Sequence, residues 1–378
     1  MKILAAVDSF KGSLSSIDAG NTIRKAALSI NDAIDFEVIP IADGGEGTVD
    51  AFLSLSNAQK INIKVKDPLM RDTNAYYAKI NDLCVMEMSQ ASGITKLTDD
   101  EKNPLLTTTY GVGEMIIDAL DKDMRKFIIG IGSSATNDCG MGMLMALGVK
   151  FTDKEGKEVS NNAKGISDIY KIDISNMDKR IYESEFYIAS DVDNPLIGEK
   201  GASNVYGRQK GADDDMVKLL DKSLSHFADK TEEIIDSDRF FKGAGAAGGL
   251  GYAFKYYLKG KLSSGIDIVF DYLKVEDKIK DADLVITGEG KIDFQTSMGK
   301  APIGIAKYAK KYNKKVIAFC AVSEDDAIEV NKNGIDAFFT VQRQIVDLDK
   351  AMDRDFAKDN LYHTALQVFR LINLYGGL

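Results

Sequence analysis

The sequence predicts an α/β protein in which a discontinuous, doubly wound parallel-sheet domain is interrupted by a second α/β domain. Three observations predict it. The 378 residues exceed what one ordinary core organises. Short apolar runs alternate with helical patterns at both ends of the chain, which is the grammar of βαβ units. The long middle stretch breaks that grammar.

Residues 3–7 are an apolar run with the length of a buried parallel strand. The turn DSFKGS follows, then an amphipathic helix over about 16–30. FEVIPIA is the second strand, ending at Ala42 before the turn DGGEGT and a helix through Val49 and Phe52. The same pattern returns near the C-terminus. DLVITGEG is strand and glycine turn, APIGIAKYAKKY a helix, KKVIAFCA and AFFTV strands, and residues 360–373 the last helix. These parallel strands are assigned to residues 1–65 and 284–378. Residues 66–283 then form the inserted domain, with strands at NAYYAKI, LCVMEMS, KFIIGIG and EFYIAS. Its helices are expected near 113–120, 140–147 and 214–227, and GAGAAGGLGYAF opens another.

The hydrophobic fraction of 44% and charged fraction of 28% are those of a globular protein. A net charge of −10 repels nucleic acid and acidic membrane surfaces, so neither is an expected partner. An anionic substrate would need local cations or backbone N–H groups to hold it. Cys84, Cys139 and Cys320 form no CxxC pair and are expected as small buried hydrophobes. No apolar run approaches the ~20 residues of a membrane span, and the first residues lack a signal pattern. A cytoplasmic location is therefore expected, with self-association left open.

Three loops share a place at the carboxyl end of a predicted parallel strand, where open α/β sheets bind ligands. DSFKGS supplies Asp8, Lys11 and Ser13. DGGEGT supplies Asp43, Gly44, Gly45 and Glu46, and TGEGKID supplies Glu289, Lys291 and Asp293. Carboxylates beside lysines and glycine-loop N–H groups suit Mg²⁺ and phosphate, because phosphoryl transfer needs positioning and charge neutralisation. Taken singly, each loop also reads as a solvated turn that caps the next helix. In the insert, GIGSSATND places Gly132, Ser134, Thr136 and Asn137 after a strand. The G-x-G-x-x-A beginning at Gly130, with Asp153 further on, also matches a dinucleotide fingerprint. Asp191 emerges after the strand EFYIAS, where a carboxylate can accept a hydroxyl proton. Arg71 in KDPLMR can clamp a carboxylate, or serve as a surface ion-pair partner. There is no Walker motif or protein-kinase signature. The only histidines, His226 and His363, lack partner motifs, which argues against a histidine triad or zinc site.

Taken together, DSFKGS, ADGGEGT, NPLLTTTYG, GSSATND, DVDNPL, QKGA, GAGAAGGLG, ITGEGKID and GKAPIG resemble the bacterial-type glycerate kinase family, in the family's order and over nearly the whole chain. The resemblance implies a flavodoxin-like α/β domain interrupted by a second α/β domain, with the active site in the cleft between. It implies ATP- and Mg²⁺-dependent phosphorylation of D-glycerate, usually to 2-phosphoglycerate. It supports Asp8, Lys11, Asp43, Glu46, Asp191, Glu289 and Asp293 as cleft residues. On this reading Lys11 and loop N–H groups hold phosphates, and Glu289 and Asp293 support Mg²⁺. Arg71 or Lys291 binds the glycerate carboxylate, and Asp191 orients or deprotonates the hydroxyl. The chain departs from the family pattern at several positions. Ser133 and Cys139 replace glycines, Arg208 a proline, Lys291 an arginine, Phe294 a glycine, and Ala321–Val322 a glycine-serine pair. Two other classes remain as alternatives, a nicotinamide-dependent hydroxy-acid dehydrogenase using the Gly130–Ala135 loop and a non-catalytic nucleotide sensor.

Overall fold

The computed structural model describes residues 1–10, 12–41, 47–55, 57–297 and 301–376. The chain divides into two compact units, Met1–Asp43 with Ile266–Leu378, and Gly44–Gly265. The divisions differ from the expected 65/66 and 283/284 for a physical reason. Gln59–Lys66 pairs antiparallel with Asp72–Ile80 along its whole length, which binds it to the second unit. The helix Val275–Asp281 is tied to the first unit through Lys2, whose ammonium lies 2.6 Å from Asp281, and through a Lys278–Glu37 ion pair.

The sheet of the first unit has five parallel strands in the order Ala337–Thr340, Lys315–Ser323, Leu284–Ile292, Lys2–Val7, Asp35–Pro40. Counted along the unit this is the doubly wound, flavodoxin-like order, whose direction reverses between Lys2–Val7 and Leu284–Ile292. Both faces are covered, which is why these strands read as unbroken apolar runs rather than alternating ones. Ile3, Ala5 and Val7 pack with Ile286 and Phe319 against the helices Ser16–Leu28 and Arg354–Leu374. Each of those helices is capped by a side chain. Ser15 accepts from the Asp18 N–H and Asp353 from the Phe356 N–H, contributions of about 1 kcal/mol each.

The second unit is built on a six-stranded sheet in the order Lys261–Ser263, Glu185–Ala189, Lys126–Gly130, Leu83–Glu87, Asp72–Ile80, Gln59–Lys66. The first four strands run parallel, Asp72–Ile80 runs against them, and Gln59–Lys66 is antiparallel to Asp72–Ile80. Phe127 and Phe186 stack across neighbouring strands with ring centroids 4.7 Å apart. The glycine tract adjoins this core for a steric reason. Ala247, Gly248 and Gly249 are left-handed, and a Cβ on Gly248 would lie 2.1 Å from the Thr136 carbonyl oxygen. Cys84, Cys139 and Cys320 are all buried. Among the described residues no helix is long and apolar enough to cross a membrane.

Candidate active site

In the first unit, the reversal of strand order opens the sheet's carboxyl edge between Lys2–Val7 and Leu284–Ile292. Asp8 follows the first of these strands, and its N–H donates to the Gly288 carbonyl at 2.9 Å. That bond fixes Asp8 beside Glu289, and both carboxylates are buried to 8% exposure. The Thr296 hydroxyl donates to Glu289 at 2.5 Å, and Asp293 accepts from the Thr296 N–H at 3.2 Å. Lys291 stands 3.6 Å from Asp293 and 2.5 Å from Glu324, and its hydrogen bond to Glu324 holds the ammonium above the usual lysine range. Asp8, Ser13, Glu289, Lys291 and Asp293 all line one pocket of about 920 Å³. The Ser13 hydroxyl is turned inward, donating to the Phe10 carbonyl at 2.9 Å. Lys11, Asp43, Gly44, Gly45 and Glu46 lie outside the described residues.

The donor set suits a hard divalent cation, since it consists of carboxylate oxygens with a hydroxyl behind them. Among the described residues, no group of three or more His, Cys, Asp or Glu is placed to hold a metal by itself. Mg²⁺ does not need such a cage, because it usually takes one or two carboxylates and completes its shell with water and substrate phosphates.

In the second unit, Gly132, Ser134, Thr136, Asn137 and Asp191 all follow the carboxyl ends of parallel strands. Asp191 is exposed and accepts from the Gly265 N–H at 3.3 Å. The turn after it is braced by Asn194, which donates to the Lys200 carbonyl and accepts from the Tyr206 hydroxyl at 2.7 Å. Thr136 and Asn137 are fully buried, so their side chains shape the loop from within. Arg71 sits in the turn between the two antiparallel strands. Its guanidinium is engaged by Asp67 and Glu101, each at 2.6 Å, as in the ion-pair reading.

Lys210 and Glu87 are among the buried ionisable groups that were not singled out from the sequence. Lys210 donates to the Ser134 hydroxyl at 2.7 Å and to the Thr136 carbonyl at 2.6 Å, and burial lowers its pKa to about 7. Glu87 ends the strand Leu83–Glu87 and accepts from the Val49 N–H at 2.8 Å, with burial raising its pKa to about 7. An acid inside the apolar string LCVMEMS was a visible signal for Glu87. Lys210 lies in the QKGA segment, where nothing local shows its burial, because its partners lie 74 and 76 residues away.

The dinucleotide reading does not survive this geometry. A fingerprint loop opens a helix directly, whereas the first helix after Gly130 is Met141–Ala146. Asp153 follows the strand Lys150–Thr152, which belongs with Lys171–Asp173 to a separate two-stranded sheet.

The Glycerate kinase family profile matches residues 3–373. The chain is 44% identical to a glycerate kinase of Bacillus subtilis over 99% of its own length and 98% of the relative's. It is 42% identical to the glycerate 2-kinase of Escherichia coli, covering 93% of each chain. The crystal structure of a glycerate kinase 2 from Salmonella typhimurium superposes with a TM-score of 0.91 at 40% identity, covering 100% of both chains. The chain thus belongs to the glycerate kinase family, transferases that pass a phosphoryl group to an alcohol.

Proposed function

We propose that the chain is a cytoplasmic enzyme that phosphorylates D-glycerate with ATP and Mg²⁺, giving 2-phosphoglycerate in preference to 3-phosphoglycerate. The observation that carries the reading is the pocket at the strand-order reversal, where Asp8, Glu289 and Asp293 gather beside Lys291. The product assignment is supported by the similarity to the glycerate 2-kinase.

Glu289 and Asp293, with Asp8 next to them, would hold Mg²⁺, which when bound neutralises phosphate charge. Lys11 and the N–H groups of the glycine turns hold phosphate oxygens. Lys291 serves the substrate carboxylate better than Arg71, because Lys291 lines the pocket with the carboxylates and Arg71 does not. Asp191 orients the acceptor hydroxyl and takes its proton. With only two histidines in the chain, a carboxylate is the available base.

The test is ADP release with D-glycerate, L-glycerate, glycerol and lactate, with the product identified by ³¹P NMR. D-Glycerate should be preferred and the phosphorus should couple to the single proton on C2. Equal turnover of glycerol would remove carboxylate recognition. A phosphorus coupled to the two C3 protons would reverse the product assignment.

A further inference from the structure

The pocket of the first unit is chemically uneven. Its acidic end lies at the tips of Lys2–Val7 and Leu284–Ile292. It continues past Lys315–Ser323 to the edge strand Ala337–Thr340, where Val341, Ile345, Leu348, Ala351 and Met352 line it. With neighbouring strands about 4.8 Å apart, three steps separate the two ends by roughly 14 Å. That is about the reach of an extended nucleoside triphosphate from its base to its outer phosphates.

One polar group in the apolar end is unsatisfied. Asn360, on the helix Arg354–Leu374, lines the pocket and is only 1% exposed. Its carbonyl oxygen accepts from the Arg343 Nε–H at 2.9 Å, and Arg343 is itself held by Asp359 at 2.7 Å. This chain of contacts orients the amide. Its Nδ2 has no hydrogen-bond partner among the described residues. An unmade bond at a buried donor is costly, so an acceptor delivered by a ligand gains more there than at a hydrated group.

We propose that the apolar end receives the heteroaromatic base of the nucleotide, and that the Asn360 amide N–H donates to a ring-nitrogen acceptor of that base. The proposal rests on the reading that this pocket is the nucleotide site. A planar base suits the lining because it buries apolar faces while offering in-plane acceptors. A carboxylate or a sugar would leave that lining against polar groups. Arg343 then acts as a positioning residue, keeping the carbonyl of Asn360 occupied so that the N–H₂ is turned to the ligand.

The test is equilibrium binding by calorimetry, without glycerate, of ATP and of tripolyphosphate, which has no base. Asn360→Asp keeps the acceptor for Arg343 and exchanges the donor for an oxygen that repels a ring nitrogen. Ala351→Trp fills the lobe without touching Asn360. Thermal melts establish that both variants are folded. ATP should bind at least tenfold more weakly to each variant, while tripolyphosphate binds all three proteins alike. If Asn360→Asp binds ATP as the parent does, Asn360 does not read the base and the inference is overturned. If Ala351→Trp also leaves ATP affinity unchanged, the base lies elsewhere. Glu289→Gln separates that failure from failure of the nucleotide reading itself. Weakened Mg²⁺-tripolyphosphate binding keeps phosphates at the acidic end, and binding that stays unchanged when Glu289→Gln is combined with Asp8→Asn removes the nucleotide from this pocket.

Discussion

Replacing Lys210 by methionine should change how stability depends on pH, by an amount that the surroundings of the lysine set. The ammonium is enclosed, with the Ser134 hydroxyl and the Thr136 carbonyl as its two acceptors. A neutral amine has two N–H donors, so the site matches the uncharged form. Asp138 pulls the other way, but its carboxylate is already occupied by the Thr109 N–H and hydroxyl and by the Gly140 and Gly142 N–H groups. Burial therefore wins, moving the lysine from 10.5 to about 7, which corresponds to roughly 5 kcal/mol of penalty on the charged form. Between those two values the unfolded chain holds a proton that the folded chain does not, so unfolding free energy rises with pH by about 1.4 kcal/mol per pH unit. Below the folded pKa both states are protonated and the penalty is complete. Lys210→Met has nothing to titrate, so all other groups cancel in the difference between the two proteins. Urea unfolding followed by circular dichroism should show parental minus variant stability increasing by about 2.5 kcal/mol from pH 7.5 to 9.5. A flat difference across that window would refute the reasoning, since it would mean that the lysine keeps its charge when buried.

Glu289→Gln and Asp293→Asn should each raise the Mg²⁺ concentration for half-maximal activity by about tenfold, with a smaller change in the glycerate KM. An unmoved Mg²⁺ dependence in both would shift the metal towards Asp8 and Asp43. Asp191→Asn, which keeps shape and removes charge, should lower kcat on the order of 10²-fold while ATP affinity stays as it was. Retained kcat would exclude Asp191 as the base, and lost ATP binding would make it part of the nucleotide site. Ser133, exposed and left-handed at φ 57°, should tolerate glycine with a gain of roughly 0.5–1 kcal/mol in thermal stability. A loss of stability would show that its side chain contributes more than its backbone costs.

Elements set by local pattern were legible in the chain. The first strand, expected at 3–7, is Lys2–Val7, and the helix expected at 16–30 is Ser16–Leu28. The last helix begins at Arg354 rather than 360, because Asp353 caps it ahead of its first apolar residue. Gln59–Lys66 was overlooked although Ile61, Ile63 and Val65 alternate as a half-buried edge strand does. That omission carried the domain boundary with it. The acidic loops were readable because glycine and carboxylate lie within a few residues of each other. Lys210 and Asn360 were not, since each acquires its character from contacts that no spacing reveals. Asn360 is an ordinary helical asparagine until Arg343 takes its carbonyl and leaves its N–H₂ unmade.

The departures from the family's glycines follow the same logic. Ser133 and Cys139, at two positions where the resemblance implies glycine, have φ of 57° and 53°. Neither residue adopts this conformation as freely as glycine does, so the surroundings must enforce it. They do so from several sides. The Ser133 carbonyl accepts from the Ile94 N–H at 2.9 Å, and the Cys139 N–H donates to the Gly248 carbonyl at 3.0 Å. Asp138 gathers four donors, and Lys210 holds Ser134 and Thr136 together. The left-handed glycines at 248 and 249 let a second backbone lie against Thr136 and Cys139 without a Cβ in the way. Strain that this many contacts determine is lost on unfolding rather than relaxed in the folded loop. Restoring a glycine at 133 should therefore change the melting temperature and leave glycerate turnover as it is.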